Sequence, residues 1–289
     1  MEPIKNKHEG KRVFIVGGGP SLDRTNLSLL ENEYSIAANN INDIFSRTSW
    51  RPYYYINTQN HADPRDINIA SNHANTSFVN KKYKSKINSI GNIRFLNCRR
   101  ISEKKHNCLG NPHPKDKRNK WSDDIYSHVY WYNNSIYPMY QLANFLGFRT
   151  IYLVGCDLGM DNANYVVYED YCLDPVVHAR KEGGVSVKST ITFLLRSKSK
   201  SKAVINALKT LYIYIGSGLF RERYARSANF EGYSVISKLF NRGADDKIRR
   251  AHSLAKRKLE SRGVTVYNAT KGGELEMFER YTLEEVLRN

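Results

Sequence analysis

The chain has 289 residues, of which 40% are hydrophobic and 12% aromatic, so it can build a packed core and wholesale disorder is excluded. Its 45 Lys and Arg against 28 Asp and Glu give a formal net charge of +17. That excess predicts an anionic partner, namely a nucleotide, a nucleic acid or a membrane surface contacted peripherally; the alternative is a basic surface that only keeps the chain in solution.

The compartment is predicted from what the sequence lacks. No stretch is long and apolar enough to cross a bilayer, and no apolar leader follows Met1. The four cysteines, Cys98, Cys108, Cys156 and Cys172, show no zinc-type spacing, and we expect Cys156 to be a buried thiol. A reducing compartment fits this usage best, so we expect a cytoplasmic protein.

The first predicted unit is a strand, a glycine turn and a helix. Arg12–Val16 is a short apolar run, as in a buried parallel strand, and the sequence Gly17-Gly18-Gly19-Pro20-Ser21 follows it. Glycine lets a backbone approach a ligand closely, while Pro and Ser are typical of a helix start. Because a helix N-terminus favours negative charge, we predict that residues 17–21 bind the phosphate of a nucleotide. The alternative is a tight turn without a ligand.

Strand patterns then alternate with helical ones, which predicts an α/β fold with a doubly wound, mainly parallel, Rossmann-like sheet. Residues 99–128 are polar and are predicted to form an exposed excursion. The predicted strands after the first are 34–38, 53–56, 76–79, 93–96, 150–154 and 264–267, and the predicted helices after the glycine turn are 137–146, 247–262 and 283–287.

Three regions are expected along the chain: a nucleotide-binding core over 1–159, an insertion or lid over 160–245, and a helix and strand over 246–289 that complete the core. The insertion is basic, with a Lys- and Ser-rich stretch at 181–202. It also holds Tyr212, Tyr214 and Tyr224, and aromatic rings among cations can stack on bases. The insertion is therefore predicted either to close over an anionic ligand or to bind nucleic acid.

Polar residues at predicted strand ends are the candidate site residues. Asn39, Asn40 and Asn57 each follow a strand, and an amide offers both a donor and an acceptor to a sugar or base, although single loop asparagines more often cap their own turns. Asp157 closes the strand 150–154 and is predicted to hold a ribose, a metal or a proton, with helix capping as the alternative. His178, in the insertion, is the second catalytic candidate.

Three segments together carry a family resemblance. They are residues 13–21 (VFIVGGGPS), 146–158 (LGFRTIYLVGCDL) and 266–278 (VYNATKGGELEMF). Their order and content resemble the bacterial motility-accessory, flagellin-modifying glycosyltransferase-like proteins. That group shares a core with the archaeal 6-hydroxymethylpterin diphosphokinase and, more distantly, with the family 42 sialyltransferases.

The resemblance implies a nucleotide-activated donor bound along one edge of the sheet. Gly159 stands where the sialyltransferases have the first of two phosphate-binding tyrosines, and no histidine between residues 229 and 246 matches their catalytic one. The residues at which the resemblance places the donor are Gly17, Gly18, Gly19, Pro20, Ser21, Asn39, Asn40, Asn57, Ser135, Tyr165, Asn268 and Thr270.

The leading functional prediction is a transferase, specifically a glycosyltransferase that acts on a glycan or a protein and needs no cofactor besides its nucleotide-sugar donor. One alternative is a diphosphokinase that transfers diphosphate from ATP to a hydroxymethyl acceptor and requires Mg²⁺. A second alternative is a protein that binds or modifies nucleic acid, as the charge of +17 allows.

Overall fold

The structure, a computed structural model, describes residues 4–60, 62–88, 92–101, 120–132, 134–158 and 244–288. Its centre is a seven-stranded sheet in which every strand pair is parallel. No helix within these ranges is long and apolar enough to span a membrane. The strands are β1 (Arg12–Val16), β2 (Ser35–Ala38), β3 (Tyr54–Asn57), β4 (Thr76–Asn80), β5 (Ile93–Leu96), β8 (Thr150–Val154) and β9 (Thr265–Asn268).

The strand order is β5-β4-β3-β2-β1-β8-β9. The chain builds outward from β1 to β5 and then crosses back to place β8 on the other side of β1. The strand order reverses between β1 and β8, and the carboxyl ends of these two strands form the topological switch point of such a sheet, where doubly wound folds bind ligands. The α/β, doubly wound, Rossmann-like fold predicted from the sequence is confirmed.

In the described ranges, four α-helices flank the sheet: α1 (Pro64–His73), α2 (Ile136–Phe145), α3 (Ala244–Glu260) and α4 (Leu283–Arg288). One core lies between the sheet and α2 and α3, and the other lies on the opposite face with α1 and α4. Helix α2 is buried along almost its whole length and contacts β1, β2 and α3. Since α2 leads into the amino end of β8, its own N-terminus lies toward the carboxyl edge of the sheet.

Two sequence predictions about local structure are wrong. The segment after the glycine turn, Pro20–Arg24, is a short 3-10 helix and not an α-helix. Helix α1 was not predicted, because its sequence PRDINIASNH is mostly polar and buries only Ile67, Ala70 and Ser71. Its start signal is nevertheless present, since Asp63 accepts a hydrogen bond from the Arg65 backbone N–H and Pro64 opens the helix.

The predicted exposed excursion over 99–128 is correct for Arg99, Arg100 and Tyr126, which are exposed, and wrong for several other described residues of this range. Strand β6 (Cys98–Arg100) pairs in parallel with β7 (Val129–Trp131), forming a separate two-stranded ribbon. Trp121 and Ile125 are buried in the α2-side core. A few large apolar side chains are enough to fix a polar segment to the core. The average polarity of the segment does not reveal them.

A buried glutamine of α2 forms hydrogen bonds with the backbone of β7 on the side that faces away from β6. The Gln141 side chain accepts hydrogen bonds from the backbone N–H groups of Ser122 (3.2 Å) and Tyr130 (3.0 Å) and donates one to the Tyr130 carbonyl (2.7 Å). Strand β6 takes the backbone groups of Val129 and Trp131 on the other side. Gln141 therefore replaces a third strand of the ribbon.

The chain divides into two compact units, one formed by Met1–Gly159 with Gly243–Asn289 and the other by Met160–Arg242. The second unit contains nearly all of the predicted insertion or lid and lies outside the described residues. The first unit carries the whole seven-stranded sheet and every candidate site residue except Tyr165 and His178.

Candidate functional site

The glycine turn is fastened to the loop after β8. The Gly17 N–H donates to the Val154 carbonyl (2.8 Å) and the Gly19 N–H to the Gly155 carbonyl (2.9 Å). Between them, Gly18 is exposed, and its N–H has no hydrogen-bond acceptor among the described residues. A Cβ added at Gly18 would meet nothing within 4 Å. The switch point therefore presents an open backbone donor.

The other two glycines are required for a different reason. A Cβ at Gly17 would lie 2.5 Å from the Gly155 carbonyl oxygen, and one at Gly19 would overlap the Asp157 Oδ2. None of the three has a positive φ. Gly17 and Gly19 are therefore needed for close packing against the β8 loop and not for a left-handed backbone.

Asp157 faces the turn across the switch point. Its Oδ2 accepts a hydrogen bond from the Ser21 hydroxyl (2.7 Å), and its Oδ1 accepts one from the Ser21 N–H (3.2 Å). Burial raises the pKa of the Asp157 carboxyl, while the Ser21 hydrogen bonds and the Arg24 charge oppose that shift. The geometry places Asp157 where it holds the glycine turn in position.

The loop after β9 supports Asp157 from behind. The Asp157 carbonyl accepts a hydrogen bond from the Glu274 N–H (2.6 Å). Gly273 packs so closely that a Cβ there would overlap the Asp157 carbonyl oxygen, and its φ of 77° is one that side-chain-bearing residues rarely adopt. The Arg280 guanidinium donates to the carbonyls of Gly273 and Gly272 and fixes the loop.

Two of the predicted donor-binding residues, Thr270 and Asn268, form hydrogen bonds within this support. Thr270 is buried, and its Oγ1 accepts a hydrogen bond from the Cys156 N–H (3.0 Å). Asn268 is fully buried; its amide donates to the Leu275 carbonyl and accepts from the Thr270 N–H. Cys156 is a buried thiol, as predicted, and its pKa is raised by burial.

The strand-end asparagines line the same edge next to β1. Asn57 ends β3 and is buried, its Nδ2 donating to the Tyr55 hydroxyl (3.3 Å) and its Oδ1 accepting from the Gln59 N–H. That hydroxyl donates to the carbonyl of Asn39, which follows β2 with a φ of 57°. Asn40 is half-buried and opens the next 3-10 helix, Ile41–Ile44.

The N-terminus of α2 adds a residue that sequence reasoning missed. The Asn134 Oδ1 accepts a hydrogen bond from the Tyr137 N–H (2.9 Å), so its side chain caps α2, while the predicted donor-binding residue Ser135 stands at the N-cap position without a side-chain cap hydrogen bond. The Asn134 Nδ2 is buried and has no hydrogen-bond partner among the described residues. A buried amide donor without an acceptor is costly unless a ligand or water supplies one.

Tyr165 and His178 lie outside the described residues, so their predicted roles stay predictions. In the ranges that the structure describes, no group of three or more His, Cys, Asp or Glu residues is placed to hold a metal ion.

The fold and the site together define an α/β protein with a doubly wound parallel sheet and a glycine turn at its switch point. No protein-family model matches this chain, and no curated protein is significantly similar to it. The resemblance drawn from residues 13–21, 146–158 and 266–278 therefore stays a prediction.

Alanine substitutions should separate the roles of the neighbouring glycines. We expect Gly19→Ala to lower the free energy of unfolding by about 2–3 kcal/mol, because its Cβ would displace Asp157 and lie 2.7 Å from the Gly155 carbonyl oxygen. Gly18→Ala, the matched control, should change it by less than about 0.5 kcal/mol, since its Cβ enters open space. Urea titration measures both; equal losses would contradict this division of roles.

Proposed function

We propose that the switch point between β1 and β8 binds the phosphate of a nucleotide-activated donor. The observation that carries the proposal is the free Gly18 N–H, which lies in open space between two glycines fastened to the β8 loop. A fixed backbone donor without a Cβ nearby can contact a phosphate oxygen directly. The 3-10 helix Pro20–Arg24 is too short to contribute a helix dipole, so the predicted helix-terminus contribution is not part of the proposal.

The remaining polar groups of the edge support a nucleotide over a bare phosphate. Asn39 follows β2, the strand next to β1 on one side. The Asn134 amide, at the N-terminus of the ten-residue helix α2, offers a second unused donor. Donors from different loops along one edge suit an extended ligand with separate phosphate and sugar parts.

The reaction we propose is transfer of the activated group, most simply a glycosyl group, to an acceptor. Asp157 acts in this proposal as a positioning residue, because its carboxylate oxygens accept hydrogen bonds from Ser21. Its predicted role as a proton carrier stays a prediction. The polar groups along the carboxyl ends of the strands suit an extended nucleotide, which supports this class of reaction. The ligand screen described next tests which sugar the donor carries.

A thermal-shift screen of nucleotides and nucleotide sugars tests the proposal. A ligand at a hundred times its dissociation constant should stabilise the protein by about 2.7 kcal/mol. Gly18→Val should unfold at nearly the wild-type temperature in the absence of ligand, because its Cβ meets no atom, yet should lose the stabilisation, because its side chain fills the space beside the N–H. Calorimetry should show at least a tenfold weaker affinity.

Two outcomes would sink the assignment. One is a screen in which no nucleotide or nucleotide sugar stabilises the wild type. The other is a folded Gly18→Val protein, checked by circular dichroism, that binds its nucleotide as tightly as the wild type does.

A further inference from the structure

A long part of the chain is free of negative charge. Between Asp66 and Glu103 there is no acidic residue, although the whole chain has one for about every ten residues. The same stretch contains seven basic residues. They are Lys81, Lys82, Lys84, Lys86, Arg94, Arg99 and Arg100.

The fold gathers most of these cations at one place. Asn80, the last residue of β4, pairs with Leu96 of β5, so the lysine-rich segment after β4 and the ribbon strand β6 start at the same point of the sheet edge. Burial raises the pKa of the Cys98 thiol in β6 to about 12, and the charge of Lys81 opposes that shift.

Five of these cations are exposed and make no ion pair with any described residue. They are Lys81, Lys84, Lys86, Arg99 and Arg100. Like charges kept together at a surface without partners cost free energy unless an anion neutralises them.

Aromatic rings lie among the cations on both faces of the ribbon. Arg100 pairs in register with Trp131, and its guanidinium lies 5.1 Å from that ring. On the other face Arg99 pairs with Tyr130, whose ring contacts the His128 ring at a centroid distance of 4.8 Å. Tyr130 and Trp131 are half-buried, so part of each ring is open to solvent.

We infer that Lys81, Lys84, Lys86 and Arg100, with the ring of Trp131, form a binding surface for single-stranded nucleic acid. We name it the β4–β7 basic surface. Cations track the phosphate backbone, while aromatic rings stack on unpaired bases, a combination that a polyanion without bases cannot use. Three strand spacings, roughly 14 Å, separate β4 from β1 in the sheet, so this surface does not overlap the Gly18 turn and is independent of the proposed function.

The salt dependence of binding tests the electrostatic part. A fluorescein-labelled 20-nucleotide oligothymidylate is titrated with the full-length protein at several salt concentrations, and anisotropy gives the affinity. Each lysine that contacts a phosphate of a single strand contributes about 0.7 to the slope of log affinity against log salt. Lys81→Gln/Lys84→Gln/Lys86→Gln should therefore reduce the slope by about 2 and weaken binding about tenfold to a hundredfold at 0.1 M salt.

The chain offers a control with the same change of net charge. Lys5, Lys7 and Lys11 are exposed and precede β1. They therefore lie at the amino ends of the parallel strands, whereas the β4–β7 basic surface begins at the carboxyl ends. Lys5→Gln/Lys7→Gln/Lys11→Gln should alter the slope by less than about 0.5. Equal effects of the two triple variants would overturn the proposal, because binding would then follow net charge or reside elsewhere in the chain.

Trp131 reports on the stacking part. Trp50 and Trp121 are buried, which leaves Trp131 as the tryptophan that a base can reach. Unlabelled oligothymidylate should quench the tryptophan emission of the wild type, and Trp131→Phe should abolish the quenching while weakening binding less than tenfold. Quenching that persists in Trp131→Phe, or inorganic polyphosphate binding as tightly as the oligonucleotide at equal charge, would overturn the assignment to nucleic acid.

Discussion

Gln141→Leu should lower the free energy of unfolding by about 4 kcal/mol. The wild-type side chain is fully buried and serves two backbone N–H groups, of Ser122 and Tyr130, and the Tyr130 carbonyl. Leucine is apolar and forms helices about as well as glutamine, but it leaves these three buried or part-buried groups without a partner. Each unsatisfied group costs about 1–3 kcal/mol, so their sum outweighs any gain from the apolar replacement.

Asn144→Leu is the matched control. Asn144 lies in the same helix and is only half-buried, and its side chain has no hydrogen bond to any described residue. Replacement by leucine at this position should change the free energy of unfolding by less than about 0.5 kcal/mol. Urea unfolding gives the free energies of unfolding of both variants. A Gln141→Leu protein as stable as the wild type would show that β7 does not depend on the Gln141 hydrogen bonds.

Acid should destabilise the protein through two buried histidines well before the carboxylates titrate. His8 is buried against the ring of Phe148, and its Nε2 is 2.6 Å from the Tyr54 hydroxyl. His252 is buried under α2, and its Nδ1 is 2.8 Å from the Tyr140 hydroxyl. Burial lowers the pKa of His8 to about 4, with the Lys11 and Lys7 charges adding to the effect, and lowers the pKa of His252 to about 3.

The direction of the effect follows from these lowered values. Above the unfolded pKa of about 6.5, both histidines are neutral in both states and their contribution to stability is fully present. As the pH falls from 6.5 toward 4 and 3, the histidines of the unfolded chain bind protons and those of the folded chain do not, so the free energy of unfolding decreases. At pH 5 each histidine should have cost about 2 kcal/mol, and the pair about 4 kcal/mol, relative to pH 7.5.

A double variant isolates the histidine contribution. In His8→Gln the amide replaces Nε2, and in His252→Asn it replaces Nδ1, so each keeps a polar atom near its tyrosine hydroxyl. The free energy of unfolding of the wild type should fall by about 4 kcal/mol more than that of the double variant between pH 7.5 and 5. Parallel pH profiles of the two proteins would be incompatible with neutral buried histidines.

The sequence by itself determined the sheet and the edge at which the site lies. The apolar runs Arg12–Val16, Ile93–Leu96 and Thr150–Val154 are strands with the predicted bounds. A parallel strand buried on both faces needs a continuous apolar run, and this is a local property of the sequence. Strand ends marked by Gly17 and Asn57 likewise predicted where polar groups would collect, because carboxyl ends of parallel strands share one edge.

Only the tertiary structure decided what each polar residue does there. Ser21 and Asp157 are 136 residues apart in sequence, and their hydrogen bonds make Asp157 a support of the glycine turn. Asn268 and Thr270, which the sequence predicts as ligand contacts, form hydrogen bonds with the protein's own backbone. Conversely, the N–H of Gly18 and the amide of Asn134 are available because no protein group reaches them in the described structure. A hydrogen-bonding group has the same chemistry in every context, and only its neighbours in space determine whether it is already used.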